Sequence, residues 1–118
     1  MNTHALVAIF HLIFVAPFFF YIAVQRSAIP NILYMIITGL AIVLFLFHGY
    51  KMVARWKANS PYVWVNAFHF LIVAPLLFYI GYNAKDTPRP AYELLAMTAF
   101  AAFGYHLYNL IKSINTLD

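Results

Sequence analysis

The sequence predicts an all-α membrane protein with four transmembrane helices, built by tandem duplication of a two-helix hairpin. Three observations predict this fold class. Hydrophobic residues make up 65% of the 118 residues and charged residues only 8%, whereas about 25% of the residues in a soluble domain are charged. Four long apolar stretches follow one another along the chain, and the second half of the sequence repeats the first. We therefore expect a single transmembrane domain over residues 1–118.

The apolar stretches are long enough to cross a bilayer as helices. A hydrocarbon core of about 30 Å requires about 20 residues of α-helix at about 1.5 Å per residue. Helices are expected because lipid offers no hydrogen-bonding partner to an exposed backbone, and the stretches are too long for barrel strands. The four predicted helices are residues 4–25, 31–54, 62–83 and 91–113.

The three connections contain proline and polar residues, which end a helix. They divide the basic residues unequally between the two sides of the membrane. Those on the side of the termini are Lys51, Arg55, Lys57 and Lys112, and those on the opposite side are Arg26, Lys85 and Arg89. Because cytoplasmic loops carry the excess of Lys and Arg, this distribution favours a multi-pass integral membrane protein with both termini in the cytoplasm.

The internal repeat is found by sliding the sequence along itself by 58 residues. Fourteen positions between residues 10 and 50 are then identical, against roughly three expected by chance. Repeat one covers about residues 3–58 and repeat two about residues 61–116. Since each repeat holds two spans, both halves enter the membrane in the same direction, and a pseudo-twofold axis along the membrane normal relates them. The expected assembly is a four-helix bundle in the lipid bilayer, with surface left for homo-oligomers.

Pro17 and Pro75 occupy equivalent positions near the middle of the first and third spans. Each proline removes a backbone donor and crowds the carbonyl group four residues earlier, so both helices should kink there. The kink has either a packing role or a functional one, as a hinge or as an exposed carbonyl oxygen for an ion.

Four histidines lie at matching positions in the spans: His11 and His69 on the first helix of each repeat, and His48 and His106 on the second. A rise of about 1.5 Å per residue puts them about 22 to 26 Å from the loops at the far ends of their helices. We therefore expect one layer of four imidazoles in the leaflet nearer to the termini. Ionisable side chains at this depth are costly and point to a functional site. His4 has no counterpart in the second repeat and is expected at the membrane interface.

Three roles for this histidine layer remain open. The leading hypothesis is a channel or small transporter for protons or other small ions, because imidazole titrates near pH 6.5 and can relay protons along a narrow water path. The second is ligation of a copper or zinc ion or of haem iron, with His11 and His69, or His48 and His106, as axial pairs for a haem. The third is structural: neutral histidines that hydrogen-bond Asn66, a tyrosine or a backbone carbonyl fasten helices together in a membrane scaffold or a viral envelope protein.

Other function classes are disfavoured by the composition. The sequence has no cysteine, which excludes disulfides and thiolate metal sites. Its net charge of +4 comes mainly from loop and helix-end residues, which act as topology signals, so nucleic acid is not an expected partner. No nucleophile is paired with a base and no lysine lies deep in a span, so we expect neither an enzyme nor a retinal protein, and no cofactor is favoured. Glu93 is either a cation-attracting residue at a channel mouth or part of a solvated helix N-terminus.

Overall fold

The computed structural model describes residues 3–115, and all the regular secondary structure within this range is helical. Four helices are long and apolar enough to cross a membrane. They are α1 (Thr3–Ala28), α2 (Asn31–Lys57), α3 (Val63–Asp86) and α4 (Arg89–Asn115). The prediction of an all-α chain with four helices long and apolar enough to span a membrane is therefore confirmed.

The helices are of two kinds. α2 and α4 are continuous α-helices of 27 residues each. α1 and α3 each begin as α-helix, pass through one π-helical turn, return to α-helix and end in a short 3-10 turn. In α1 these segments are Thr3–Phe10, His11–Val15, Ala16–Gln25 and Arg26–Ala28, and in α3 they are Val63–Phe68, His69–Val73, Ala74–Asn83 and Ala84–Asp86.

The two π turns stand directly before Pro17 and Pro75. In each turn the backbone N–H of the alanine that precedes the proline donates to the carbonyl oxygen of a histidine five residues earlier. The two pairs are Ala16 with His11 and Ala74 with His69. This longer hydrogen bond inserts one extra residue into the helix where the proline supplies no donor. The kink at each proline stays a prediction, and the π turn shows how the backbone accommodates the missing donor.

The breaks between helices coincide with proline and with residues of positive φ. Pro30 is extended, with φ −62° and ψ 150°, and immediately precedes α2. Arg26 and Ala84 have φ values of 52° and 50° and follow the last α-helical residues of α1 and α3. Asn59, with φ 54°, lies in the connection between α2 and α3. Residues other than glycine rarely adopt such values, and here they mark interruptions of the regular α-helical backbone.

The described chain forms two compact units. The terminal unit combines residues 3–26, which belong to α1, with residues 92–115 of α4. The central unit is Ser27–Ala91 and contains α2 and α3. Each unit thus pairs one helix from the first half of the chain with one helix from the second half.

Each unit has an interior of small and aliphatic side chains and an apolar outer surface. The buried residues include Ala8, Ala16, Ile22, Leu95 and Ala99 in the terminal unit, and Ile37, Ala41, Val73, Leu77 and Ile80 in the central unit. Large apolar side chains such as Val24, Leu46 and Met97 are more than half exposed. An apolar exterior of this kind suits contact with lipid and is unusual for a protein in water.

Candidate functional site

The four predicted histidines come together as two stacked pairs, one in each unit. In the terminal unit the rings of His11 and His106 lie 4.1 Å apart between centroids, with an angle of 20° between their planes. In the central unit the rings of His48 and His69 lie 4.2 Å apart at an angle of 13°. Each pair joins a histidine of a π turn to a histidine of a continuous helix. The common depth of the two pairs stays a prediction.

The histidine of each π turn is held by its own helix. The Nδ1 atom of His11 lies 2.8 Å from the carbonyl oxygen of Val7, and Nδ1 of His69 lies 2.7 Å from that of Val65. A carbonyl oxygen can only accept, so Nδ1 must donate and therefore carries a proton in both rings. In the neutral imidazole this leaves the lone pair on Nε2. Both side chains thus present the nitrogen that can take up a proton at the end of the ring away from the backbone.

In the central unit a hydrogen-bonded chain connects His48 to a charged group. Nη1 of Arg55 donates to Oδ1 of Asn66 at 2.6 Å, and Nδ2 of Asn66 lies 2.9 Å from Nδ1 of His48. Asn66 is only 3% exposed. The buried amide therefore joins α3 to two side chains of α2, one of them positively charged.

The terminal unit carries different residues at the equivalent positions. A shift of 58 residues places Ala8 at the position of Asn66 and Ser113 at the position of Arg55. Ala8 is fully buried, and Ser113 is 9% exposed. A methyl group cannot donate a hydrogen bond, so the two imidazole pairs share their stacking geometry but differ in the polar groups around them.

Aromatic rings contact all four imidazoles. Each of the four histidines makes an edge contact with the aromatic residue that precedes it in the sequence. These neighbours are Phe10, Phe47, Phe68 and Tyr105. In the central unit Phe45 of α2 also stacks on Phe70 of α3 at 4.2 Å. Each imidazole thus has an aromatic ring in contact with it in addition to its stacking partner.

The arrangement in each unit offers two imidazoles to a ligand. Among residues 3–115, no three His, Cys, Asp or Glu side chains gather so that they could hold a metal ion. A haem with two axial histidines requires the rings to approach the iron from opposite faces of the macrocycle. Rings stacked about 4 Å apart leave no space between them for a haem, so the pair within one unit does not fit that use.

The other predicted site residues are Pro17, Pro75 and Glu93. Pro17 and Pro75 each follow the π turn that begins with a stacked histidine. Glu93 is exposed near the start of α4. Its role at a channel mouth stays a prediction.

Sequence reasoning missed one residue of the site. From the sequence, Arg55 is expected only as a topology signal, because a basic residue near a helix end usually extends its charge to the membrane surface. Its spacing carried a further signal: seven residues, or about two turns, separate it from His48, so both lie on the same face of α2. Asn66, by contrast, was among the hydrogen-bonding partners expected for a structural histidine.

Comparisons of the chain with family models, with curated proteins and with solved structures find no match. The function of this chain is therefore inferred from the geometry of the two imidazole pairs.

Proposed function

We propose that this chain is a small homo-oligomeric membrane protein that conducts or transports protons, or another small ion, through its histidine side chains. The observation that carries the proposal is the stacked imidazole pair in each unit, within helices that are long and apolar enough to cross a membrane. His11, His48, His69 and His106 are the residues proposed to form the pathway. Their proposed role is to accept and release protons inside the membrane.

The chemistry of imidazole supports this role. It is the side chain whose ordinary pKa allows it to gain and lose a proton near neutral pH. The Nε2 lone pairs of His11 and His69 are set by the hydrogen bonds from Nδ1 to Val7 and Val65. A protonated ring inside a bilayer is costly. The chain nevertheless has four histidines within its apolar helices and only three acidic residues in its whole sequence. A function explains these titratable side chains better than packing alone does.

We further propose that the two halves of the chain, about residues 3–58 and 61–116, descend from one duplicated hairpin and are related by a parallel pseudo-twofold axis. Several local features recur at positions 58 residues apart and support this view. They are the π turns at His11 and His69, the positive φ values at Arg26 and Ala84, and the bonds from Nδ1 to Val7 and Val65. Two stacked pairs would then be two copies of one ancestral site.

The proposed topology has both termini in the cytoplasm, on the basis of four basic residues against three. The proposed partners are the lipid bilayer and further copies of the same chain, because large apolar side chains remain exposed on both units. Native mass spectrometry from detergent micelles tests whether copies of the chain associate, and a monomer alone would contradict the proposed homo-oligomer.

Acid-driven proton flux into liposomes tests the function. The purified chain is reconstituted, the external pH is lowered, and an internal pH-sensitive dye reports proton entry. The variant to compare has all four paired histidines replaced by glutamine, which keeps hydrogen-bonding capacity but does not titrate. We expect its flux to fall to the rate of protein-free liposomes, while the wild-type chain exceeds that rate.

The matched control is His4→Gln, since His4 is exposed near the start of α1 and outside both pairs. This variant should conduct as the wild-type chain does. Equal flux in the wild-type chain and the fourfold variant would overturn the proposal.

A structural role is the second candidate, and the hydrogen bonds of the histidines favour it. Contacts such as that between His48 and Asn66 join helices at about 0.6 to 2 kcal/mol each. If the histidines only stabilise the packing of the helices, the wild-type chain conducts no protons. The fourfold variant then differs from it only by a lower unfolding temperature.

A further inference from the structure

The direction of the hydrogen bonds in the central unit can be assigned from Arg55. A guanidinium group has donors and no acceptor. The atom of Asn66 that faces Nη1 of Arg55, at 2.6 Å, must therefore be its carbonyl oxygen. The amide NH₂ of Asn66 is then turned towards Nδ1 of His48, at 2.9 Å. An NH₂ group donates, so Nδ1 of His48 accepts and the proton of the neutral ring lies on Nε2.

Two features keep the hydrogen bonds from Arg55 through Asn66 to His48 in this direction. The bond from Arg55 to Asn66 is charge-assisted and short, and such bonds are about twice as strong as neutral ones. It also polarises the amide, which strengthens the donation to His48. Asn66 is 3% exposed, so water does not compete for its two polar atoms. Rotating the amide would point its NH₂ group at the guanidinium and leave two donors facing each other.

The partner ring has the opposite arrangement. Nδ1 of His69 donates to the carbonyl oxygen of Val65 at 2.7 Å, so its lone pair lies on Nε2. His48 and His69 therefore stack as complementary tautomers, one with N–H at Nε2 and the other with a lone pair at Nε2. At the Nε2 end of the pair, His69 therefore carries the lone pair that binds a proton, whereas Nε2 of His48 already carries a proton.

We propose that Arg55 and Asn66 are positioning residues that hold His48 as the Nε2–H tautomer, so that His69 is the proton-accepting ring of the central unit. His48 then remains neutral and donates from Nε2. A proton could add to its Nδ1 only after the bond from Asn66 is broken. Arg55 of α2 and Asn66 of α3 thus give His48 and His69 different roles.

The terminal unit carries other side chains at the two equivalent positions. Its equivalents of Asn66 and Arg55 are Ala8 and Ser113, neither of which can build a guanidinium–amide–imidazole chain. The two pairs are therefore specialised differently, although both stack at about 4 Å. The statement about proton transfer rests on the proposed function, whereas the statement about tautomers does not.

Nitrogen NMR of the full chain in lipid bilayers tests the inference. With ¹⁵N-labelled histidine at about pH 8, where free imidazole is neutral, the shifts show which ring nitrogen carries the proton. Signals are assigned with His48→Gln and His69→Gln. We expect His48 to be protonated on Nε2 alone and His69 on Nδ1 alone. A proton on Nδ1 of His48 in the wild-type chain would overturn the proposal.

Asn66→Asp sharpens the test. A carboxylate accepts from Arg55 and also requires a donor from His48, so the proton of His48 should move from Nε2 to Nδ1. Asn83→Asp is the matched control, because it makes the same change at an amide that bonds to the carbonyl oxygen of Tyr79. The control should leave His48 unchanged. An unaltered His48 signal in Asn66→Asp would contradict the positioning role.

Proton flux separates this inference from the proposed function. If His69→Gln lowers acid-driven flux more than His48→Gln does, the division of roles is supported. Equal losses in the two variants would contradict that division. If no histidine affects flux but the tautomers are as expected, the proposed function fails and the positioning role of Arg55 and Asn66 stands.

Discussion

Gly81 of α3 packs directly against Thr38 of α2. A methyl group in place of the glycine hydrogen would meet Oγ1 of Thr38 and lie 2.9 Å from its backbone nitrogen and 3.1 Å from its Cα. Oγ1 of Thr38 donates to the carbonyl oxygen of Tyr34 at 2.9 Å, which holds the hydroxyl in place. The contact is close because position 81 carries no Cβ, as at many helix–helix interfaces in membranes.

Gly81→Ala should therefore destabilise the central unit by about 1 to 3 kcal/mol, the usual cost of overpacking a tight interface. The measurement is thermal or denaturant unfolding in detergent micelles. Gly39→Ala is the matched control, because nothing lies within 4 Å of a Cβ at that position. This control should be neutral or stabilising by up to about 1 kcal/mol, since alanine favours a helix. A Gly81→Ala chain as stable as the control would show that the helices are not in close contact.

Thr38→Ala should recover part of this loss when it is combined with Gly81→Ala. It removes the hydroxyl and leaves the backbone nitrogen and Cα of residue 38 in place, so recovery cannot be complete. A double-mutant cycle over the two positions should give a coupling energy of about 0.5 to 3 kcal/mol, as residues in contact do. Simple additivity of the two changes would contradict the contact.

Lys85 fastens the end of α3 to the segment before α2. Its Nζ donates to the carbonyl oxygens of Ser27 at 2.8 Å and Ile29 at 3.0 Å, and it lies 5.9 Å from the ring centroid of Tyr34. Lys85→Met keeps the apolar stem and removes the ammonium group. Because the side chain is exposed, we expect a loss of only about 1 kcal/mol in unfolding free energy. Lys57→Met, at the exposed end of α2, should change stability less, and an equal effect of both would contradict the role of Lys85.

Pro75→Ala tests the origin of the π turn in α3. Residue 75 would then carry an N–H able to donate to the carbonyl oxygen of Leu71, so the π turn at His69–Val73 should convert to α-helix. Losing the inserted residue rotates the preceding segment by about 100° relative to the following one, which should break the stack of His48 on His69. NMR of backbone hydrogen bonds reports the change, and Pro61→Ala in the preceding connection is the control. A π turn that persists without the proline would contradict this explanation.

The fold class follows from the sequence because its causes are local. Charge content, apolar length and prolines such as Pro30 and Pro88 determine where helices run and where they stop. The π turns do not follow, because a missing donor at Pro17 can be met by a bend or by an inserted residue, and tertiary packing decides between them. Sequence reasoning therefore predicted a kink at this proline without identifying the turn before it.

The sequence predicts which four histidines form the site, but not which of them stack on one another. Intramembrane depth singled out the four histidines, but helical spacing alone does not say which helices pack together. The pairs His11 with His106 and His48 with His69 depend on that packing. The hydrogen bonds from Arg55 through Asn66 to His48 could not be predicted for the same reason, because Arg55 and Asn66 meet only when α2 and α3 pack side by side.

The pH dependence of proton flux tests the central claim most directly, because it reports the protonation of imidazole and not merely the presence of a side chain. In liposomes, flux per unit of proton gradient should rise as the pH falls from about 8 to about 5, since imidazole becomes charged as the pH drops through about 6.5. The chain with glutamine at positions 11, 48, 69 and 106 should show no such rise. A wild-type flux that is independent of pH over this range, or the same profile in the glutamine variant, would contradict a histidine-borne pathway.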